Sequence, residues 1–171
     1  LCSSRAPILS LPPYQKGEYT DTWGCGWYNA YGGIMGQVVK SPLENWDSLD
    51  SYKIPDPLVW DDFGPLDWQM IKGYSEKRRR ENRLTSGGPG FIFFYHRLTF
   101  LRGFRNLMID FMKGPPQLTK LIDMVVEHRL KQICKWLEIG VDVMLFGDDL
   151  GTQKSLQMSP VTFRKYLKPA Y

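Results

Sequence analysis

The sequence predicts an α/β fold built from parallel β/α units, and three observations carry that expectation. Residues 141–146 form an apolar run that ends in Gly147, two adjacent carboxylates, Asp148 and Asp149, and a glycine-bearing loop at Gly151. A buried strand that stops at an acidic, glycine-bearing loop is how α/β enzymes place chemistry at the carboxyl edge of a parallel sheet. Upstream, Leu118, Leu121, Ile122, Val125, Ile133, Cys134 and Leu137 recur at three- and four-residue steps, the period of an amphipathic helix. A second apolar run, residues 91–95, has strand length, so strand, helix, helix and strand follow one another at the spacing of parallel strands joined by a crossover.

Residues 1–60 read as a loop-rich aromatic segment. Pro12-Pro13, Gly17, Gly24, Gly26, Gly32-Gly33 and Gly36 punctuate it, with Trp23, Trp27 and Tyr28 among the glycines. Strands are expected over 20–28 and 34–39, joined by a turn at 29–33. Ser41-Pro42-Leu43-Glu44 carries the signal of a helix start, and Ile54-Pro55-Asp56-Pro57 keeps that helix short. Residues 61–171 read as β/α units. A helix is expected over 67–82 with charged later turns, then a flexible connection at 86–90. Residues 91–95 follow as a strand buried on both faces. A helix presenting Phe104, Leu107, Met108 and Phe111 comes next and ends at Gly114-Pro115-Pro116. The long helix has Pro116 near its start and Gly140 just past its end, with Lys131 and Lys135 in turns where cations suit the helix dipole. The strand over 141–146 and a helix opened by Ser159-Pro160 close the series. There is no internal repeat or low-complexity stretch.

The 171 residues, 43% hydrophobic and 23% charged, suffice for one medium domain with a core. No apolar run reaches transmembrane length. Leu1-Cys2-Ser3-Ser4-Arg5 has neither an initiator Met nor signal-peptide character, and Lys168-Pro169-Ala170-Tyr171 stops just after a short helix. The chain is therefore expected to be a piece of a longer protein. Much of the net charge of +4 lies in Lys77-Arg78-Arg79-Arg80 and Arg83. Glu76 and Glu81 interrupt that run and no aromatic residues are interleaved, so it reads as a solvated helix end and no nucleic-acid partner is expected. Cys2, Cys25 and Cys134 lie far apart with no CxxC, which suits free thiols in a reducing, cytoplasmic setting. Cys134 is expected to pack on the apolar helix face.

Several segments together resemble the uroporphyrinogen decarboxylase superfamily, which includes cobalamin-linked methyltransferases. They are Asp21-Thr22-Trp23-Gly24, Ser41-Pro42-Leu43 through Tyr52 and Pro55-Asp56-Pro57. Leu101-Arg102-Gly103-Phe104 and Leu107-Met108-Ile109-Asp110 continue the series, followed by residues 140–153, Ser159-Pro160 and residues 163–171. The resemblance implies a partial TIM (β/α)8 barrel over 1–171, roughly its first half. Such barrels typically need about 250 residues, and half of one leaves unpaired sheet edges and exposed core. A homodimer and a tetrapyrrole or corrinoid partner, the corrinoid free or on a carrier protein, belong to the same expectation; no membrane association is expected, since no apolar run is long enough.

For the site, the resemblance implies Asp21 as a catalytic carboxylate. In the decarboxylases an aspartate near this point accepts hydrogen bonds from pyrrole N–H groups and stabilises developing positive charge without a cofactor; a turn-forming aspartate is the alternative. Asp148 stands where the decarboxylases carry a cleft serine and is the second catalytic candidate. Adjacent acids on extended backbone point to opposite sides, so one of Asp148 and Asp149 faces the cleft, Asp148 being favoured, unless the pair only holds loop amides. Trp23, Asp149, Gln153 and His96 are the substrate-binding candidates. Trp23 and Trp27 either form an apolar wall for a macrocycle or plug one end of the barrel. His96 either lines the cleft or is hydrogen-bonded structure, and His128 reads as structural or surface. No metal ligand is expected within this chain. A corrinoid methyltransferase would take zinc from a histidine and cysteines beyond Tyr171, making a thiolate the methyl acceptor. A decarboxylase would need no cofactor but would carry carboxylate-binding arginines before Leu1. Asp21-Thr22-Trp23-Gly24 and Asp148-Asp149, both departures from the decarboxylase pattern, favour methyl transfer. Decarboxylation and a non-catalytic tetrapyrrole- or partner-binding barrel are the alternatives.

Overall fold

The computed structural model describes residues 8–62 and 64–171. Cys2 and Arg5 lie outside the described residues. The amino-terminal part carries a three-stranded antiparallel sheet of β1 (Gly17–Thr20), β2 (Gly26–Asn29) and β3 (Gln37–Lys40), in that order. The strand expected over 20–28 is two strands instead. Asp21 accepts the backbone N–H groups of Trp23 (3.0 Å) and Cys25 (2.8 Å), folding residues 21–25 into a tight turn that reverses the chain. The expected turn at 29–33 does form. There Asn29, buried, accepts the Tyr31 N–H and donates to the carbonyls of Pro13 and Ile34.

The helix expected from Ser41 does not form; a turn leads into a single 3-10 turn, Trp46–Ser48, capped by Asn45. Tertiary bonds take the backbone groups that a helix would use. Leu43 N–H donates to the Leu101 carbonyl, and Arg102 donates to the carbonyls of Leu43 and Glu44. Arg102 also pairs with buried Asp110 at 2.6 Å and lies 4.1 Å over the Trp46 ring.

A two-residue pair, β4 (Trp60–Asp61) and β5 (Gly64–Pro65), precedes helix α1 (Trp68–Arg80), which Asp67 caps through the Met70 N–H. Its basic end is partly structural, because Arg79 donates to the carbonyls of Ile139 and Gly140 and Arg78 to that of Leu84. The cation at the end of the long helix is thus Arg79. Lys131 and Lys135 pair with Glu127 and Glu138 on their own helix.

The parallel pair is β6 (Ser86–Gly90) and β7 (Val143–Phe146), with Ser86 opposite Val143 and Gly90 opposite Phe146. Between them run α2 (Tyr95–Arg102), α3 (Phe104–Lys113) and α4 (Pro116–Ile139), the order a parallel connection requires. The strand lies one segment earlier than residues 91–95, in the stretch expected to be a flexible connection. Close approach selects that glycine run. A Cβ on Gly87 would stand 2.2 Å from the Trp136 ring, and one on Gly88, whose φ is +137°, 2.4 Å from the Leu145 carbonyl oxygen. Residues 91–94 form an irregular loop that enters α2.

Helix α4 buries Leu118, Leu121, Ile122 and Val125, as its period predicts, and then His128, Arg129, Gln132 and Ile139. The same helical face continues through polar residues, so Leu130, Cys134 and Leu137 stay exposed, and Cys134 does not pack. Val143, Leu145 and Phe146 of β7 are also about half exposed, which corrects the expectation of a fully buried strand. Ser159 caps α5 (Pro160–Thr162), which passes into a π turn, Phe163–Leu167, that buries Leu167 against the core. That core gathers Trp23, Cys25, Leu43, Leu98, Leu101 and Val125. The architecture is mixed α/β. Among the described residues no helix is long and apolar enough to cross a membrane.

Candidate functional site

Where β6 and β7 end, two loops meet, 91–94 and 147–158. Neither has a sheet ladder, so their backbone groups must find other partners. Asp148 supplies them on one side: its side chain, 5% exposed, accepts the N–H groups of Phe94 (2.8 Å), Tyr95 (2.9 Å) and His96 (2.9 Å). It thereby caps α2, where a carboxylate also meets the positive end of the helix dipole. The Tyr171 hydroxyl donates to the same carboxylate at 2.5 Å. Burial, and next that bond, push the Tyr171 hydroxyl above its ordinary range. Arg129 supplies the other side, donating Nε to the Phe93 carbonyl at 2.6 Å and Nη2 to that of Ile92 at 2.5 Å.

Asp148 is therefore the buried member of the acidic pair and a capping residue, whereas Asp149 is 80% exposed. This reverses the favoured assignment of Asp148 to an open cleft. Alternation explains the geometry: consecutive side chains of extended backbone diverge, and the one turned inward meets a helix start.

Beneath the loops lies a charge cluster. Arg97, on α2, places Nη2 2.5 Å from Asp62 Oδ1 and Nη1 3.5 Å from Asp21 Oδ2, with its guanidinium 4.3 Å over the Trp23 ring. Arg129 reaches the other Asp62 oxygen at 3.3 Å and donates to Gln132 at 2.8 Å. Burial alone would push the Asp62 carboxyl up; Arg129 and Arg97 outweigh it and hold the group below the usual carboxylate range. Sequence reading missed Asp62, Arg97 and Arg129. The available signal was charge inside apolar surroundings, at Trp60-Asp61-Asp62-Phe63 and in the aromatic stretch before Leu98.

Asp21 belongs to this cluster. Both its oxygens are engaged, Oδ1 by the two turn amides and Oδ2 by Trp27 Nε1 at 2.9 Å. Trp23 is buried in the core between Arg97 and His128, its ring centre 4.5 Å from the imidazole. Gln153 is exposed at the tip of a small loop closed by a bridge between Gly151 and Leu156. The loop ends bring His96, Asp148 and Asp149 together; Asp21 and Trp23 stand behind them with the buried charges.

His128 is buried with neither ring nitrogen hydrogen-bonded, and burial pushes its pKa down to about 3 from 6.5. A histidine that stays neutral when folded but protonates when unfolded costs stability as pH falls below 6.5, and the loss is complete near pH 3. The slope limit is about 1.4 kcal/mol per pH unit. Unfolding free energy should therefore drop by about 1.6 kcal/mol between pH 6.5 and pH 5 on this account, because the unfolded imidazole is half protonated at the upper limit. Urea denaturation of the wild type and of His128→Leu across that range checks it, since the variant should lose that part of the slope. Equal slopes would refute the assignment.

Among the described residues no group of histidine, cysteine and carboxylate side chains could hold a metal ion. Cys25 is buried with its thiol pushed up to about 12, first by desolvation and then by Asp21, the opposite of an activated thiolate. A pocket of about 240 Å³ opens beside Asp148, lined by Phe93, Phe94, Arg129, Phe146 and Tyr171 among others. It is smaller than the roughly 300–1,000 Å³ of enclosed small-ligand sites, so a corrin or porphyrin macrocycle does not fit inside it.

No family model and no curated protein matches the chain. Among solved structures it is similar to a methyltransferase from Methanosarcina mazei, with a TM-score of 0.64 and 22% sequence identity, over 86% of this chain and 42% of that one. The likeness is one of fold. The chain spans less than half the length of that structure.

Proposed function

We propose that the chain is part of a methyltransferase on a uroporphyrinogen decarboxylase-like TIM barrel, moving a methyl group from a methylcorrinoid substrate to an acceptor thiol. The carrying observation is the fold likeness to a solved methyltransferase over 86% of the chain. The meeting of His96 and Asp149 at the carboxyl ends of two parallel strands agrees with it, because such folds seat their substrates there. The state of Asp21 favours this reading over decarboxylation. A carboxylate whose oxygens already accept two amides and an indole N–H, with Arg97 alongside, has little capacity left for the N–H groups of a cationic pyrrole.

Zinc that activates the thiol does not fit the described residues, so its ligands would come from outside them. In the chain itself, Asp148 and Arg129 hold the 91–94 loop from its two sides and so fix where His96 and Phe91 stand at the edge. The test uses the longest form of the protein that its gene encodes, with zinc content measured and methylcobalamin supplied together with a panel of small alkyl thiols. About one zinc per chain and thiol-dependent loss of the methyl group are expected. Absence of both would refute methyl transfer.

A further inference from the structure

His96 and His128 are the chain's two histidines, and the fold treats them oppositely. His128 is buried without partners. The His96 side chain is 24% exposed, and its ring stacks on Phe100 at 5.7 Å with 9° between planes, which fixes the plane of the imidazole. Its Nδ1 lies 3.4 Å from the Phe91 carbonyl oxygen, an atom that can only accept. Read as a hydrogen bond, that contact assigns the proton of the neutral ring to Nδ1 and leaves Nε2 as the basic nitrogen. Nε2 faces the exposed Asp149 carboxylate at 3.7 Å, and Asp148 Oδ1 lies 3.7 Å from Nδ1. Those separations exceed hydrogen-bond length, as they often do before a substrate closes a site. An imidazole with its tautomer set by a backbone carbonyl, a basic nitrogen at the surface and a carboxylate on each side has the parts of a proton acceptor.

We propose that His96 Nε2 takes the proton of the acceptor thiol; this rests on the methyl-transfer reading. The S–H bond breaks with its electron pair remaining on sulfur, and the proton forms the Nε2–H bond of an imidazolium. Asp148 and Asp149 offset the new positive charge, and the proton then passes by way of Asp149 to water. The thiolate attacks the methyl carbon of the donor, whose bond to its former carrier breaks with the pair staying on the carrier. His96 thus acts on sulfur, while Asp148 positions it through the α2 amides.

The test joins two measurements. Nitrogen-15 imidazole spectra of the longest form of the protein that its gene encodes should show the His96 proton on Nδ1 when the ring is neutral; a proton on Nε2 overturns the proposal. In the longest form of the protein that its gene encodes, His96→Gln should cut kcat for thiol methylation by about 10²–10⁴-fold, with KM little changed and the denaturation midpoint retained. Added imidazole should restore part of the rate, which a structural role would not allow. Full activity in His96→Gln, or a loss that imidazole leaves untouched, overturns the proposal while methyl transfer stands. A wild type inactive with every methyl donor and thiol supplied fails earlier and removes the methyl-transfer reading together with this step.

Discussion

Replacing Asp62 by asparagine is expected to destabilise the protein by about 3–5 kcal/mol, the cost of removing one partner from a buried ion pair. Asp62 is the shared counter-charge of Arg97 and Arg129, each almost wholly buried. Asparagine keeps the shape but offers one neutral acceptor to two guanidinium groups. The remaining carboxylate of the cluster, Asp21, is 3.5 Å from Arg97 and is occupied by the turn it forms. Two cations then face each other in a poorly solvated space, and Coulomb repulsion adds to the lost hydrogen bonds. Because Arg129 also holds the 91–94 loop, the damage should spread to the candidate site. Chemical denaturation followed by fluorescence measures the effect. A change below about 1 kcal/mol would mean that water reaches the cluster and that the ion pairs are far weaker than their burial implies.

The second large effect belongs to Asp148. Exchange for alanine strips acceptors from the N–H groups of Phe94, Tyr95 and His96 and from the Tyr171 hydroxyl. A lost N-cap costs about 0.5–2 kcal/mol, and an unsatisfied buried donor about 1–3 kcal/mol. Water can reach part of the vacated space, which brings the expected total to about 3 kcal/mol. Amide hydrogen exchange locates the damage: residues 94–96 should lose protection while the middle of α4 keeps it. Unchanged exchange there, with an unfolding free energy altered by less than about 0.5 kcal/mol, would show that the loop is held by other contacts.

Helices with unbroken periodicity and local caps were legible in the sequence. α1, α3 and α4 form close to where composition puts them, with Asp67 and Gly140 at the expected ends. The parallel pairing of a strand before α2 with the one after α4 was legible as well, though not its first strand. Phe91-Ile92-Phe93-Phe94-Tyr95 has the stronger strand propensity, yet the ladder runs through Ser86–Gly90, because only glycine admits Trp136 and the Leu145 backbone so closely. Ser41-Pro42-Leu43-Glu44 misled for a related reason. Its helix signal is local, whereas Arg102, far along the chain, claims the Leu43 and Glu44 carbonyls. At the site, the acidic pair and His96 could be picked out as residues. Which acid turns inward could not, since alternation says only that the two diverge. The Asp62 cluster was not legible as a cluster: apolar neighbours mark Asp62 and Arg97 one at a time, but nothing local says that these scattered residues and Arg129 meet.

The parallel pair of strands also has a consequence in time. Thr85 and Asp142, joined by side-chain and backbone bonds at the foot of the pair, are 57 positions apart. Closing a loop of that length costs about (3/2)RT ln n, roughly 3.6 kcal/mol, before any ladder bond repays it. The helices between need only local contacts and can form within microseconds. The folding order this implies is helices first, then registration of the two strands, and last the capture of the α2 amides by Asp148. The chemistry-bearing edge is then the final part of the chain to become ordered, and its protection against exchange rests on the bonds that Asp148 makes to the α2 amides.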